Sequence, residues 1–374
     1  MKQKRVIVSV TNDLATDQRV KRHCRALHDE GYNILLTGRL LPDSLPIDER
    51  PYKTRRIRHL FNKGVLFYAE YNVRLFFFLI FSRCDILHAN DLDTLPANFL
   101  ASRIRRIPLI YDSHEYFTEV PELAGRKTVK KVWELIERQI FPHLRHILTV
   151  NRSIASAYKE KYGKEVIVLR NLPEPQIITV PSTPSDFNLP MDKKLVILQG
   201  AGINKDRGAE EAAEAMRYIK NALLIIAGKG DIVEDLRNKV NNGPLKSKVI
   251  FIPPMPYEKL IRLTSICHCG LSLDKDTNLN YRYSLPNKLF DYIMAGTPVL
   301  VSGLPELRHI VEKYRVGLVT ETCSPKGIAE KINHILYDVP ADHFRENLIK
   351  AAEDLNWDCE KAGLISLYRK IGRQ

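Results

Sequence analysis

The stretch from Asn280 to Leu307, NYRYSLPNKLFDYIMAGTPVLVSGLPEL, sets a cation where a helix begins. Ser284 is placed as an N-cap, Pro286 suits the first turn, and Leu289, Phe290, Ile293 and Met294 recur at helical spacing. Lys288 then sits near the positive end of the helix dipole, which is mildly unfavourable unless an anion joins it. It is either a solvated surface lysine or the partner of a bound anion. A second anion-suited stretch, GAGINKDRG, places Gly200 and Gly202 at a strand end, followed by Arg207 and a helix start. Lys205 stands where a dinucleotide fingerprint needs its third glycine, and no stretch spells a P-loop, so NAD binding and ATP hydrolysis lose ground.

Carboxylates and histidines give a second set of candidates. Asp91–Asp93 and Asp274–Asp276 each have an Asp-x-Asp spacing that a divalent cation uses, but two carboxylates on a turn are ordinarily solvated, and a cation needs several preorganised oxygens. The solvated reading is preferred for both. His88 is either a packed histidine or a functional one, with the sequence balanced between the two. Glu115 is a base or a partner for nearby arginines, ranked below His114, and Asp13 and Asp17 precede or open the first helix, where they complement its dipole.

These residues have to be positioned by an alternation of strands and helices. Strand Val6–Val10 leads through TNDLATD into a helix with Val20, Cys24 and Leu27 on one face, then Gly31 and the strand YNILLTG. CDILHAND, IPLIYDSHE, HILTVNRS and EVIVLRN each pair an apolar run with polar residues at its end, so His88, Asp91, His114, Glu115 and Asn151 are expected on the carboxyl-end face of a parallel sheet. Residues 172–190 hold five prolines and read as a linker, after which LVILQGAG, ALLIIAGKGD, KVIFIPP and CGLSL restart the rhythm. The expected fold is α/β, with two doubly wound domains, 1–172 and 191–355, joined by residues 173–190, a ligand in the cleft between them, and a final helix near 356–374 packing back on the first domain.

Composition bounds the function classes. The 374 residues suit two domains, and 44% hydrophobic with 27% charged residues is ordinary for a globular chain. A formal charge of +13 suits anionic ligands, but it is dispersed, without a basic block or an aromatic-interleaved groove, so nucleic acid is given little weight. Six scattered cysteines, with Cys267 and Cys269 in an apolar run, read as reduced and buried rather than metal-binding. The opening MKQKRVIVSVTND lacks a signal-peptide core, and a cytoplasmic location is expected. The segment GVLFYAEYNVRLFFFLIFSRC is interrupted by Glu70, Arg74 and Arg83, leaving Leu75–Phe81 far short of a span. Phe76, Phe77, Phe78 and Phe81, bordered by Arg74, Arg83 and KTRRIRHLFNK, are either core or a peripheral contact for anionic lipid at the inner face of the cytoplasmic membrane.

The ordered set TNDLATDQRVKRHCRALHDEGYNILLTGR, DILHANDLDTLPA, IPLIYDSHEY, VILQGAGINKDRG, LIIAGKGD, LPNKLFDYIMAGTPVL and NWDCEKAGLISLYRKI resembles the family 4 retaining glycosyltransferases of the GT-B fold, from near residue 6 to the last helix. The resemblance implies two Rossmann-like domains and bacterial polysaccharide or capsule assembly. His114 would contact the donor sugar near the reacting carbon, Arg207 would bind the donor diphosphate, and Asp291 would hold the ribose hydroxyls. Tyr283 replaces the first family glutamate, Asp291 is one methylene shorter than the second, and Ala201 stands where many members have arginine. A subset carries Ser-Leu-Pro-Asn-Lys instead, which would give Lys288 the diphosphate charge, with Ser284, Asn287, Gly200 and Gly202 beside it. His114, Glu115, Arg207 and Lys288 are the expected catalytic set, and Asp13, His88 and Asp91 the acceptor side.

The implied reaction needs no cofactor and no metal. A nucleotide diphosphate sugar, UDP-linked in the first instance, donates to a carbohydrate or polyprenyl-linked acceptor with retention. The alternatives are a nucleotide-sugar epimerase or phosphorylase on the same fold, and a non-catalytic nucleotide-sugar-binding subunit.

Overall fold

The structure is a computed structural model that describes residues 3–15, 17–42, 44–175 and 182–372. Of the proline-rich segment, Pro181 and residues 176–180 lie outside the described residues. The chain divides into two compact units, Met1–Asn171 with Glu360–Gln374, and Leu172–Cys359. Residues 182–190, read as linker from the sequence, therefore group with the second unit.

The first unit is built on β1 (Arg5–Asp13), β2 (Asn33–Leu40), β3 (Lys53–Arg58), β4 (Ile86–Asn90), β5 (Leu109–Ser113), β6 (His146–Thr149) and β7 (Ile167–Val168), with helices α1 (Gln18–Asp29), α2 (Gly64–Phe81), α3 (Asp91–Arg105), α4 (Lys127–Ile140) and α5 (Arg152–Tyr162). The strands form one parallel sheet in the order β3-β2-β1-β4-β5-β6-β7. β4 and β5 are buried at every residue, as strands covered on both faces must be. Side-chain caps fix two helix starts: Asp17 accepts from the Val20 N–H and Asn151 from the Ile154 N–H, each satisfying an orphan donor. Asp17 thus caps α1, whereas Asp13 ends β1 and pairs with Arg56 of β3 at 2.7 Å.

β3 is the strand that the sequence hid. Its residues KTRRIR, read as the basic border of a lipid contact, form the sheet edge beside β2, where Lys and Arg discourage pairing with another chain. Arg55 also lies over the Phe78 ring at 4.5 Å. α2 is long and apolar enough to cross a membrane by length and composition. Within the unit, Phe67, Tyr71, Leu75 and Leu79, four apart, bury one stripe of it, and the Tyr71 hydroxyl donates to the Val10 carbonyl. Val65, Leu66, Val73, Phe77 and Phe81 stay exposed and Phe76 and Phe78 are half-buried, so the phenylalanine run does not belong to the core.

The second unit repeats the pattern with β8 (Lys194–Gly200), β9 (Ala222–Gly228), β10 (Val249–Ile252), β11 (Cys269–Ser272), β12 (Val299–Ser302) and β13 (Gly317–Thr320), in the order β10-β9-β8-β11-β12-β13, all parallel. Its helices are α6 (Ala209–Ala215), α7 (Val233–Asn241), α8 (Tyr257–Ser265), α9 (Leu279–Arg282), α10 (Asn287–Met294), α11 (Pro305–Tyr314), α12 (Pro325–Asn333) and α13 (Arg345–Asp354). In both units the strand order turns back beside the first strand, the topology that places ligands beyond the carboxyl ends. Cys267 and Cys269 are buried in this core. α14 (Trp357–Gly372) closes the chain: within the first unit Arg170 pairs with Glu360 at 2.7 Å, and Tyr368 is fully buried, packing edge-on to Tyr32.

Candidate functional site

In the second unit α10 begins at Asn287, with Pro286 in extended backbone at its N-cap position and no side-chain cap. Ser284 is therefore not the cap that its spacing predicts. Its N–H closes the turn of α9 by donating to the Tyr281 carbonyl, and its Oγ is buried without a hydrogen-bond partner among the described residues. Proline at 286 holds the chain extended and delays the helix by two residues.

Lys288 points into the unit, its side chain only 10% exposed, with Nζ 3.5 Å from Asp274 Oδ2. Arg207 Nη1 donates to Asp274 Oδ1 at 2.8 Å, and its guanidinium lies over the Tyr281 ring at 4.5 Å. Asp274 follows the carboxyl end of β11, is fully buried, and also accepts from Ser272 Oγ at 3.3 Å. The solvated reading of Asp274 is corrected here, and of the two readings of Lys288 its burial removes the solvated one. Burial pushes the Asp274 carboxyl up, but Lys288 and Arg207 outweigh it and hold it below the usual range. Burial draws Lys288 down, and Asp274 opposes that. Asp276 turns away to Arg282 at 2.7 Å, so this Asp-x-Asp does not present two carboxylates to one ion.

Three residues after Lys288, and so beside it on α10, Asp291 accepts from the Tyr257 hydroxyl at 2.8 Å. Gln199, at the end of β8, donates to its other oxygen at 3.4 Å and accepts from Thr264 Oγ1 at 2.7 Å. Tyr257 belongs to no motif, and Gln199, though inside VILQGAGINKDRG, is neither a glycine nor a charge that marks the anion site; a polar residue one place before the end of the strand LVILQG is its available signal. Arg207 is held in place by its neighbour Gly208, whose φ of +78° and contact with Leu273, 2.4 Å from where a Cβ would lie, leave room for glycine alone. Gly202 differs: a Cβ there would meet nothing within 3.8 Å, so packing within the unit does not demand glycine. Asn287 is exposed and Gly200 is half-buried at the same carboxyl end.

In the first unit the residues expected on one face separate into groups. Asp91 opens α3 with a φ of +59°, a strained value for a non-glycine residue, and its Oδ1 accepts the His114 N–H at 2.8 Å. Its Oδ2 lies 3.2 Å from His114 Nδ1, while His114 Nε2 lies 3.3 Å from Asp112 Oδ2 and 3.1 Å from Asn90 Oδ1. Both ring nitrogens face oxygens, so both carry protons. Burial alone would lower the imidazole, but Asp91 and Asp112 overcome it and raise it to about 9. His114 is an imidazolium here, a cation and donor rather than a base.

Asp112 is fully buried and takes 2.8 and 3.3 Å bonds from Arg19 Nη2 and Nε, while Arg19 Nη1 donates to the Leu169 carbonyl at 2.9 Å. Burial raises the Asp112 carboxyl, and Arg19 followed by His114 reverses this to well below the usual range. Neither Arg19 nor Asp112 stood out in the sequence, although Asp112 alternates with His114 in YDSHE. His88 lies inside β4, 1% exposed, with Nδ1 2.7 Å from the Tyr368 hydroxyl; its place is in the packing, and the acceptor-side reading is corrected. Ligand atoms of His23, His88 and Asp112 fall within 4.8 Å of one another, yet Arg19 already supplies that carboxylate's cation; burial followed by Arg19 holds His23 well below its ordinary value. Asp93 accepts from Thr11 Oγ1 at 2.5 Å, with burial and then Asp91 lifting it to about 7, so Asp91 and Asp93 also serve different partners. Glu115 is exposed, Asn151 is spent as a cap, and Asp13 belongs with Arg56 at the sheet edge.

A family profile described as "Glycosyltransferase Family 4" matches residues 17–172, and one described as "Glycosyl transferases group 1" matches residues 182–355. Together they take in both sheets apart from β1. The chain belongs to the family 4 glycosyltransferases, with the GT-B fold. An uncharacterised glycosyltransferase of Methanocaldococcus jannaschii is 23% identical over 93% of each chain. Among solved structures, sucrose-phosphate synthase of Thermosynechococcus elongatus is similar over the full length of both chains, with a TM-score of 0.80 and 18% identity. The Anabaena protein HepE, solved with UDP-glucose, gives 0.73 at 14% identity over 98% of this chain and all of that one. In this glycosyltransferase, the motif residues Arg207, Lys288 and Asp291 fall at the carboxyl ends of the second sheet, and His114 at that of the first.

Proposed function

We propose that the protein transfers a sugar, with retention, from a nucleotide diphosphate sugar to a carbohydrate or polyprenyl-linked acceptor in glycan biosynthesis, without a metal. The observation that carries this is the meeting of Arg207 and Lys288 at one point, with Asp291 one turn further along α10. Two cations of fixed geometry suit the leaving diphosphate, where charge develops as the glycosidic bond breaks, and a carboxylate beside them suits the ribose hydroxyls. UDP is the nucleotide assigned to the donor; UDP-glucose in HepE supports that choice by likeness of fold. His114, which the family resemblance assigns to the donor sugar near the reacting carbon, is an imidazolium, and Asp91 orients it. No carboxylate beside it is needed as a base when the leaving phosphate takes the acceptor's proton. Glu115, exposed at the same strand end, belongs to the acceptor side.

A thermal-shift and calorimetric screen of UDP-, GDP- and CDP-sugars tests the reading, because a ligand that binds only the folded state stabilises it. Each charge-assisted contact is worth roughly 1.5–3 kcal/mol, so Arg207→Ala and Lys288→Ala should each weaken a nucleoside diphosphate by about ten- to a hundredfold. Asp291→Ala should weaken UDP and leave inorganic pyrophosphate unaffected. A folded Lys288→Ala protein that binds and turns over donor like the parent would end the assignment.

The lipid-linked acceptor draws support from α2, whose exposed Val65, Val73, Phe77 and Phe81 adjoin Arg74 and Arg83. We assign that face to peripheral contact with anionic lipid, and the protein to the cytoplasmic side of the membrane.

A further inference from the structure

Arg207 and Lys288 are not free in the structure. Asp274 faces both from the end of β11, and the remaining charges nearby are committed elsewhere: Lys275 to Glu211 and Asp206, and Arg282 to Asp276. Two cations beside one carboxylate leave one net positive charge at a place where Lys288 is 10% and Arg207 25% exposed. Without Asp274, two poorly hydrated cations would stand side by side, and the folded state would lose stability until an anion arrived. With it, an incoming diphosphate must share or displace a carboxylate that already engages both groups.

We propose that Asp274 is a positioning residue that stands in for the diphosphate: it keeps Arg207 and Lys288 aimed while the site holds no anion, and lowers the affinity for diphosphate so that the product leaves. This rests on the donor-site reading above. A carboxylate serving only as a scaffold would lose anion affinity when altered; one that competes with the anion must give the opposite sign. Geometry favours competition, since the Lys288–Asp274 separation of 3.5 Å is long for an ammonium–carboxylate hydrogen bond and leaves the amine available to a second acceptor.

The test is Asp274→Asn, which keeps the volume and removes the charge, measured against inorganic pyrophosphate by calorimetry and thermal shift. The expected result is a lower melting temperature without anion, about ten- to a hundredfold tighter pyrophosphate binding, and a correspondingly larger stabilisation on adding it. Steady-state turnover should fall while KM for the donor falls with it, as slow product release dictates. If the variant does not fold, the same comparison is made in the Lys288→Met background, where residue 274 faces Arg207 alone and the charge is balanced before the change; loss of the carboxylate must tighten pyrophosphate there too. Equal or weaker pyrophosphate binding in whichever pair folds overturns the proposal. Failure of the parent protein to bind pyrophosphate or UDP would remove the donor site itself, whereas binding by the parent without tightening in the variants removes only the role of Asp274.

Discussion

Arg19→Ala isolates the ion network beneath His114. Asp112 is fully buried, and Arg19 gives it two donors while tying down the Leu169 carbonyl. Removing one partner of a buried pair costs about 3–5 kcal/mol, because the other charge stays behind without compensation. The imidazolium of His114, 3.3 Å from Asp112, offsets part of this, and loss of the Leu169 bond adds about 1 kcal/mol, so the first unit should lose roughly 4 kcal/mol. The two tryptophans allow the measurement to be local, since Trp133 is buried in α4 of the first unit and Trp357 lies in the second. In a Trp357→Phe background, urea unfolding followed by Trp133 fluorescence reports the first unit alone. Arg19→Ala should shift that transition to markedly lower urea, and the His114 titration should move further up, because Arg19 opposes its protonation. A loss below about 1 kcal/mol, with His114 unmoved, would show that Asp112 is compensated by water or by His114 alone and would refute the network.

His114 also predicts a pH dependence. Its folded value near 9 lies above the ordinary 6.5, so its stabilisation is complete below about pH 6.5 and fades as pH rises through 9, by about 3 kcal/mol at most; imidazole NMR shifts across pH 6–10 check the titration directly, and a midpoint at 6.5 or lower would contradict it. Glycosyl transfer should persist in excess EDTA, given that each Asp-x-Asp pair is divided between separate partners; loss of activity with rescue by manganese would mean a metal site. Vesicles containing anionic lipid should co-sediment with the protein at low salt and release it at high salt, and Phe77→Ser with Phe81→Ser should abolish the binding; no sedimentation at low salt removes the lipid assignment for α2.

What the sequence shows most legibly is what repeats. The apolar runs of β1, β4, β5, β8 and β9 and the stripe Val20, Cys24, Leu27 could be read directly, because burial on a fixed period leaves its mark in neighbouring letters. β3 left no such mark: an edge strand of Lys, Thr, Arg, Arg, Ile and Arg owes its place to the hydrogen bonds of β2 rather than to apolar alternation. The motif residues Arg207, Lys288 and Asp291 were identified, but not their state. Arg207 and Asp274 stand 67 residues apart, and a buried aspartate is written with the same letter as a solvated one, so the pairing could not be read locally. His88 was undecided for the same reason, its partner being a tyrosine on the last helix.

That tyrosine has a consequence for how the protein is made. Tyr368 meets His88 across 280 residues of sequence, and the whole second unit lies between them in the chain. At a synthesis rate of roughly 5–20 residues per second, β4 waits about 15–55 s on the ribosome before α14 exists to cover it. During that interval the nascent first unit presents an unfinished face, with a polar imidazole among apolar strands and no hydroxyl to satisfy it, and this is the stage at which a holdase chaperone would find its substrate. The second unit, continuous from Leu172 to Cys359, has no such wait and can fold before the first is complete. Cutting the gene at the proline-rich segment would accordingly yield one autonomous half and one that must receive its last helix in trans.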